Sequence, residues 1–184
     1  MGFVRRGSHA RKAAQGLARR ARDAAVEVWR MHIRDFASDD SKELASLFRR
    51  AVREIGARDY NAAQIDAWAG GISAENLDAR LSDGRLALVA VGEDGKLLAF
   101  GDLEARGHID FLYALPEAAG KGIAARLYET LETRARAKAI TRLYTEASEP
   151  ARRFFLKTGF VVLRRRDFMI GTTPIHNYAM EKLL

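Results

Sequence analysis

Cysteine is absent from all 184 residues. That removes disulfides, thiolate metal sites and a cysteine nucleophile at a stroke. Histidine is nearly as scarce: His9, His32, His108 and His176 show no metal-ligand spacing, so no metal is expected. No apolar run approaches the ~20 residues of a membrane span, and the N-terminus lacks the apolar stretch of a secretory signal. A cytoplasmic protein with no membrane partner is the expectation. Internal repeats and low-complexity linkers are also missing. What remains is ordinary in composition, 48% apolar and 30% charged, and long enough for one domain with a proper core.

Acidic residues are missing from one place in particular. Residues 1–30 hold eight Arg/Lys against Asp23 and Glu27, which leaves 23 basic and 22 acidic residues in 31–184. The net charge of +7 is therefore a property of the tail, and a nucleic-acid partner is not expected for the nearly neutral body. Three readings of the tail stand together: an extension upstream of a natural start at Met31, a basic helix for nucleic acid or an anionic surface, or a segment like an organellar transit peptide. The first is preferred, because regular patterning begins only at His32. The expected division is a basic extension over 1–30 and one domain over 31–184.

From there the pattern is legible. His32–Phe36 alternates as a short strand. Ser38–Ser41 supplies cap chemistry for a helix with Leu44, Leu47, Phe48, Ala51, Val52 and Ile55 on one face, closed by Gly56. A short helix follows Asp59-Tyr60-Asn61 and ends at Gly70-Gly71, with a further helical turn over Ala74–Leu81. Leu86–Val91 and Leu97–Leu103 read as strands joined by a glycine-flanked hairpin turn. The run His108–Ala124, HIDFLYALPEAAGKGIA, is expected to be a central strand, a turn and a glycine-started helix. Its backbone N–H groups at the helix start form a candidate phosphate cradle. A helix to about Lys138, the strand Arg142–Ala147, a helix from Ser148 to Gly159 and the strands Val161–Ile170 and Ile175–Met180 complete the order.

Three ordered segments, LYALP, then GKGIAARL, then ARRFFLKTGF, resemble the GNAT-type N-acetyltransferase superfamily. The Tyr60, Gln64 and Trp68 segment and the closing IHNYAMEKLL are similar to a YafP-like bacterial subgroup. The resemblance spans Met31–Leu184. It implies an α/β (α+β) fold: a mixed, mostly antiparallel sheet of about seven strands flanked by about four helices. It also implies a cytoplasmic enzyme that transfers an acetyl group from acetyl-CoA to a small-molecule primary amine within a ternary complex. By the same resemblance, the backbone of Leu112, Tyr113 and Ala114 pairs with pantetheine. Gly120, Lys121, Gly122, Ile123 and Ala124 then hold the pyrophosphate.

Two departures are visible. Ala119 stands where the family pattern has Arg or Gln, which leaves only backbone donors in the cradle. Phe155 stands where many members have a tyrosine that protonates the departing thiolate.

Amine attack on a thioester takes proximity, an oxyanion donor and a proton acceptor. The donor is expected as a backbone N–H near Leu112 or Tyr113. Asp110 is the first-choice base, two residues from Leu112 on the same strand face unless a bulge intervenes; its rival role is to pair a neighbour such as His108. Glu104 and Glu146 are alternatives. Tyr113, Tyr128, Tyr144 and Tyr178 are candidate acids that spacing does not separate, Tyr178 being preferred. Tyr60, Gln64, Trp68 and Asn177 are expected to line the acceptor pocket. Arg164–Arg166 reads as a solvated run or as recruitment for an acidic acceptor. An acyl-CoA-binding module with little turnover, motivated by Phe155, and a nucleic-acid-associated protein using the tail are the rival readings. A homodimer is left open.

Overall fold

The computed structural model describes residues 31–184; the basic extension expected over 1–30 lies outside the described residues. Strand β1 (Met31–Asp35) leads into helix α1 (Ser41–Ile55). Leu44, Leu47, Phe48, Ala51 and Val52 are all buried along one side of α1, as an apolar stripe with helical spacing requires. Helices α2 (Ala62–Ala69) and α3 (Ala74–Leu81) follow. Each starts on a capping residue, Asn61 Oδ1 accepting from Gln64 N–H and Ser73 Oγ from Asn76 N–H.

Strands β2 (Leu86–Gly92) and β3 (Leu97–Leu103) form a hairpin whose residues are almost all buried. A strand with both faces buried must be covered from both sides. Helix α1 and helix α4 (Ile123–Ala137) supply that cover, both packing against β3. Strand β4 (Leu112–Ala114) completes a four-stranded antiparallel sheet in the order β1-β2-β3-β4. Strand β5 (Arg142–Ala147), helix α5 (Glu149–Lys157), and strands β6 (Val161–Ile170) and β7 (Thr173–Leu183) follow, the strands forming a second antiparallel sheet, β5-β7-β6. The α/β class and the seven strands agree with expectation. The strands are divided between two sheets, and the helices number five among the described residues.

The central strand departs from expectation. Ile109–Tyr113 reads as one β run, yet the ladder with β3 covers only Leu112–Ala114. Asp102 N–H donates to Phe111 O, and two residues further along Glu104 N–H donates to His108 O. Two residues on β3 thus oppose three on the facing segment, with one residue extra at Asp110: a β-bulge. The same-face argument linking Asp110 to Leu112 therefore fails.

Among the described residues, backbone hydrogen bonds join the two sheets at one place. Tyr144 N–H donates to Gly107 O at 3.0 Å, and Ile109 N–H donates to Tyr144 O at 2.9 Å, a short parallel bridge. Gly107 makes this approach possible. Its φ is +88°, and a Cβ there would stand 2.0 Å from Arg142 O. Gly107→Ala is expected to cost more than about 2 kcal/mol in urea denaturation. Gly84→Ala, at φ +96° with open space around it, should cost distinctly less; equal losses would mean that the clash at the joint is relieved cheaply.

Candidate active site

Beyond the Tyr144 bridge, β4 and β5 run side by side without pairing. β4 is an edge strand on that side. Hydrogen bonds from Asp102 N–H to Phe111 O and from Leu115 N–H to Leu98 O bracket its ladder with β3. Backbone polar groups alternate along a strand, so Phe111, Tyr113 and Leu115 turn theirs toward β3. Leu112 and Ala114 turn theirs toward the gap. Of the three backbone positions expected to serve a ligand, Tyr113 is thereby the wrong parity: its ring lines the gap, but its N–H does not face it.

The gap opens into a cavity of about 580 Å³. Leu112, Tyr113 and Ala114 line it from β4, and Thr145, Glu146 and Ala147 from β5. One end reaches Ala119, Gly120 and Ala124 at the start of α4. Gly120 and Gly122 have φ of +76° and +80°, and an added Cβ at either would meet nothing within 4 Å. Gly122 is the N-cap and offers no side-chain cap. The first intrahelical bond is Arg126 N–H to Gly122 O, so the earlier N–H groups of α4 have no helical acceptor. This is an open cradle of backbone donors. Of the expected cradle residues, Gly120 and Ala124 border the cavity, whereas Lys121, Gly122 and Ile123 do not. Ile123 is buried in the core.

Phe48, Tyr60, Trp68, Phe168, Ile170, Ile175, His176 and Asn177 close the cavity elsewhere. Tyr60 hydroxyl donates to His176 O and accepts from Glu149 N–H, both at 3.0 Å. It thereby staples the segment before α2 to the second sheet. Asn177 Oδ1 is buried without a hydrogen-bond partner, an acceptor that wants a donor. Gln64 departs from expectation. Its Oε1 accepts from Asn61 N–H in the helix cap and its Nε2 donates to Pro174 O; it does not line the cavity. Phe168 and Ile170 carried no signal in the sequence, because nothing in an alternating strand says which face will meet a cavity.

The carboxylates divide sharply. Asp102, fully buried, accepts from both Asp110 N–H at 2.9 Å and Phe111 N–H at 2.7 Å on one oxygen. Its other oxygen meets Arg85. Burial pushes this carboxyl up, to about 6, against those donors. Asp110 lines the cavity, paired with Arg80 and, at 3.4 Å, with Arg85, not with His108. Arg80 also lies over the Phe111 ring, 4.6 Å from its centre.

Glu104 does not line the cavity and contacts His108 Nδ1 at 3.0 Å. Glu146, which does line the cavity, contacts His108 Nε2 at 2.7 Å and Arg166 at 3.2 Å. His108 stacks on Tyr144, between two carboxylates at the point where the sheets part. The hydrogen bond to Glu146, opposed by burial and helped by Glu104, holds the imidazole up to about 9, and Glu146 is held below its ordinary value in return.

Tyr178 also departs from expectation. Its hydroxyl donates to Glu149 at 2.5 Å, that bond raises its pKa, and it does not line the cavity. Tyr113 and Tyr60 are raised by burial, and Tyr128, raised by burial and Glu132, also lies outside the cavity. Phe155 lines the cavity, almost wholly buried.

The sequence profile of the acetyltransferase (GNAT) domain matches residues 56–182. The chain belongs to this family. As a GNAT acetyltransferase it is an acyltransferase. It resembles the crystal structure of a GCN5-related N-acetyltransferase from Rhodopseudomonas palustris, with TM-score 0.77 and 32% identity over 83% of this chain and 95% of that one. The structure of PaiA N-acetyltransferase from Thermoplasma acidophilum in complex with coenzyme A shares the fold, with TM-score 0.68 and 23% identity over 84% and 99% of the two chains. YafP of Escherichia coli, an uncharacterized N-acetyltransferase, is 26% identical over 74% of this chain and 85% of its own, in keeping with the expected subgroup. An uncharacterized N-acetyltransferase of Mycobacterium tuberculosis is 28% identical over 79% and 98%.

The His108 clamp has a measurable consequence in this acetyltransferase. A histidine raised from about 6.5 to about 9 stabilises the fold fully below the lower value and ceases to as pH rises through the upper one. His108→Gln should lose on the order of 2–3 kcal/mol at pH 7 and show a flatter decline toward pH 10 than the parent chain in denaturant titrations. Parallel declines would show that the imidazolium adds no stability.

Proposed function

We propose that this enzyme transfers the acetyl group of acetyl-CoA to the primary amine of a small molecule with an apolar or flat body, by direct attack in a ternary complex. One observation carries the reading: the unpaired edge of β4 and the open N-terminus of α4 line the same cavity. Strand backbone suits the amides of pantetheine, and a helix start with left-handed glycines suits a pyrophosphate. Acetyl-CoA supplies an electrophilic thioester carbonyl and a thiolate that leaves.

Leu112 N–H, facing the gap, is the proposed oxyanion donor, and the Ala114 backbone pairs with pantetheine. Gly120 and Gly122–Ala124 receive the pyrophosphate through N–H groups, Lys121 N–H being held by Ala118 O, and Ala119 leaves that task to the backbone alone. As the amine nitrogen bonds to the carbonyl carbon and the C–S bond breaks, the nitrogen sheds a proton. Asp110, beside the cavity, is the proposed acceptor, acting through water. The rings of Tyr60, Trp68 and Phe168 hold the acceptor's body, and Asn177 Oδ1 takes an N–H from it. Phe155 has no proton to give, Tyr128, Tyr144 and Tyr178 do not line the cavity, and burial raises Tyr113, so the thiolate leaves unassisted. The proposed setting is the cytoplasm, and 31–184 the catalytic domain.

Titration of acetyl-CoA by calorimetry tests the cradle. Gly122→Val should raise Kd at least about tenfold without loss of fold; unchanged affinity would put the pyrophosphate elsewhere. Thiol release across an amine panel tests turnover. Tight binding with no release for any amine would favour the acyl-CoA-binding reading that Phe155 motivates. Asp110→Asn should lower kcat by about 10²–10⁴ with the affinity for acetyl-CoA unchanged. A variant that keeps the parent kcat excludes Asp110 as the base.

A further inference from the structure

An aliphatic amine enters a protein cavity as an ammonium, because amines of that kind titrate at about 10. To become an amide it gives up two protons. One leaves before attack and frees the lone pair. The other leaves once the nitrogen has bonded to the thioester carbonyl carbon. On the function proposed above Asp110 takes the second, and the first still needs an acceptor.

Most polar groups around the cavity are already engaged. Tyr60 hydroxyl both donates and accepts. Glu146 is held by His108 and Arg166, and Asp110 by Arg80 and Arg85. Asn177 Oδ1 accepts hydrogen bonds, but an amide oxygen does not take a proton near neutral pH. His176 differs from all of these.

His176 lies on β7 and lines the cavity. Its Nε2 stands 3.3 Å from Glu149 Oε1. Burial works against the charge on Glu149, yet the bonds from Tyr178, His176 and Arg152 outweigh it and hold this carboxyl below its ordinary value. An ionised carboxylate has no hydrogen to offer, so the one in this contact belongs to Nε2. The neutral ring then carries its lone pair on Nδ1.

Among the described residues Nδ1 has no hydrogen-bond partner. Nor is it enclosed, since the one buried side-chain polar atom without a partner there is Asn177 Oδ1. The ring is kept in place by Tyr60, tilted at 5.3 Å, and by Tyr178, at a right angle and 5.8 Å away. Arg152 stands behind Glu149, and Asp167 is opposite His176 across the β6–β7 ladder. An imidazole with one nitrogen fixed on a carboxylate and the other open is an oriented base.

We infer that His176 Nδ1 takes the first proton from the acceptor's ammonium, with Glu149 as the positioning residue that keeps the neutral ring's own proton on Nε2. An N–H bond of the ammonium breaks, its electron pair stays on the nitrogen, and an Nδ1–H bond forms. One positive charge is present before and after, moved from among the rings onto an imidazolium beside Glu149. Water takes the proton after the product leaves. The inference rests on the proposed acetyl transfer and adds a step to it.

Benzylamine and O-benzylhydroxylamine separate this step from binding. They carry the same ring and differ by one oxygen, but near neutral pH the first is an ammonium and the second is uncharged. In the full-length enzyme His176→Gln should lower kcat/KM about 10²-fold or more for benzylamine and less than about threefold for O-benzylhydroxylamine. Circular dichroism and the Kd for acetyl-CoA should not change. Glu149→Gln offers Nε2 an amide N–H and so moves the ring proton to Nδ1; it should show the same selectivity. Equal losses for the two amines in both variants would give His176 a binding role only and overturn the inference, as would parent rates in both. A parent enzyme that acetylates only the uncharged amine overturns it too, since nothing then takes the first proton. A parent that releases no thiol with either probe or any other amine removes the acetyl-transfer reading itself, and this step with it.

Discussion

A buried carboxylate sets the shape of the place where this enzyme works. Asp102 reaches from β3 and takes two consecutive backbone N–H groups, those of Asp110 and Phe111, on a single oxygen. Holding both makes room for the extra residue of the bulge, and the bulge shifts the parity of the residues after it. It is this shift that turns Leu112 and Ala114 toward the gap rather than toward β3. Arg85 keeps Asp102 company and also reaches Asp83 and Asp110, so the same cluster fixes the bulge and the carboxylate that protrudes from it. Burial raises this carboxyl, and three donors offset only part of that cost, leaving it at about 6.

The parting of the sheets depends on an equally small contact. Gly107 and Tyr144 bring the two halves within one hydrogen-bonded bridge, and among the described residues no ladder joins β4 to β5 beyond it. His108 and its two carboxylates stand at that fork. On one side lies a wall made by Thr145, Glu146 and Ala147, on the other the edge of β4. Tyr60 ties the far rim by bonding to both ends of the second sheet's nearest elements, His176 and Glu149. The cavity is therefore framed by hydrogen bonds at its apex and its rim and by apolar contact between them.

Much of this was legible in the residues. The stripe on α1, the glycine hairpin of β2 and β3 and the glycine start of α4 each declare themselves through spacing, because local geometry dictates which residue types fit. Gly120 and Gly122 do adopt the left-handed backbone that their place in the cradle suggests. What sequence could not show depended on distant chain. Asp110 looks like an ordinary strand residue until Asp102 is known to stand opposite. Glu104 and Tyr178 look catalytic by residue type, yet His108 and Glu149 engage them. Gln64 reads as pocket lining at helical spacing, although its amide closes the helix cap. Phe168 and Ile170 give no hint that they meet the acceptor cavity.

The cavity's two ends differ in the material they are made of. At the α4 end the ligand-facing groups are peptide N–H and C=O, supplied by whichever residues keep the backbone path. At the Trp68 end they are rings and one amide, supplied by side chains from four separate segments. On the proposed function these ends would respond unequally to substitution. Changes around Tyr60, Trp68, Phe168 and Asn177 would alter which amine fits, while a cradle built of backbone would keep its acyl donor.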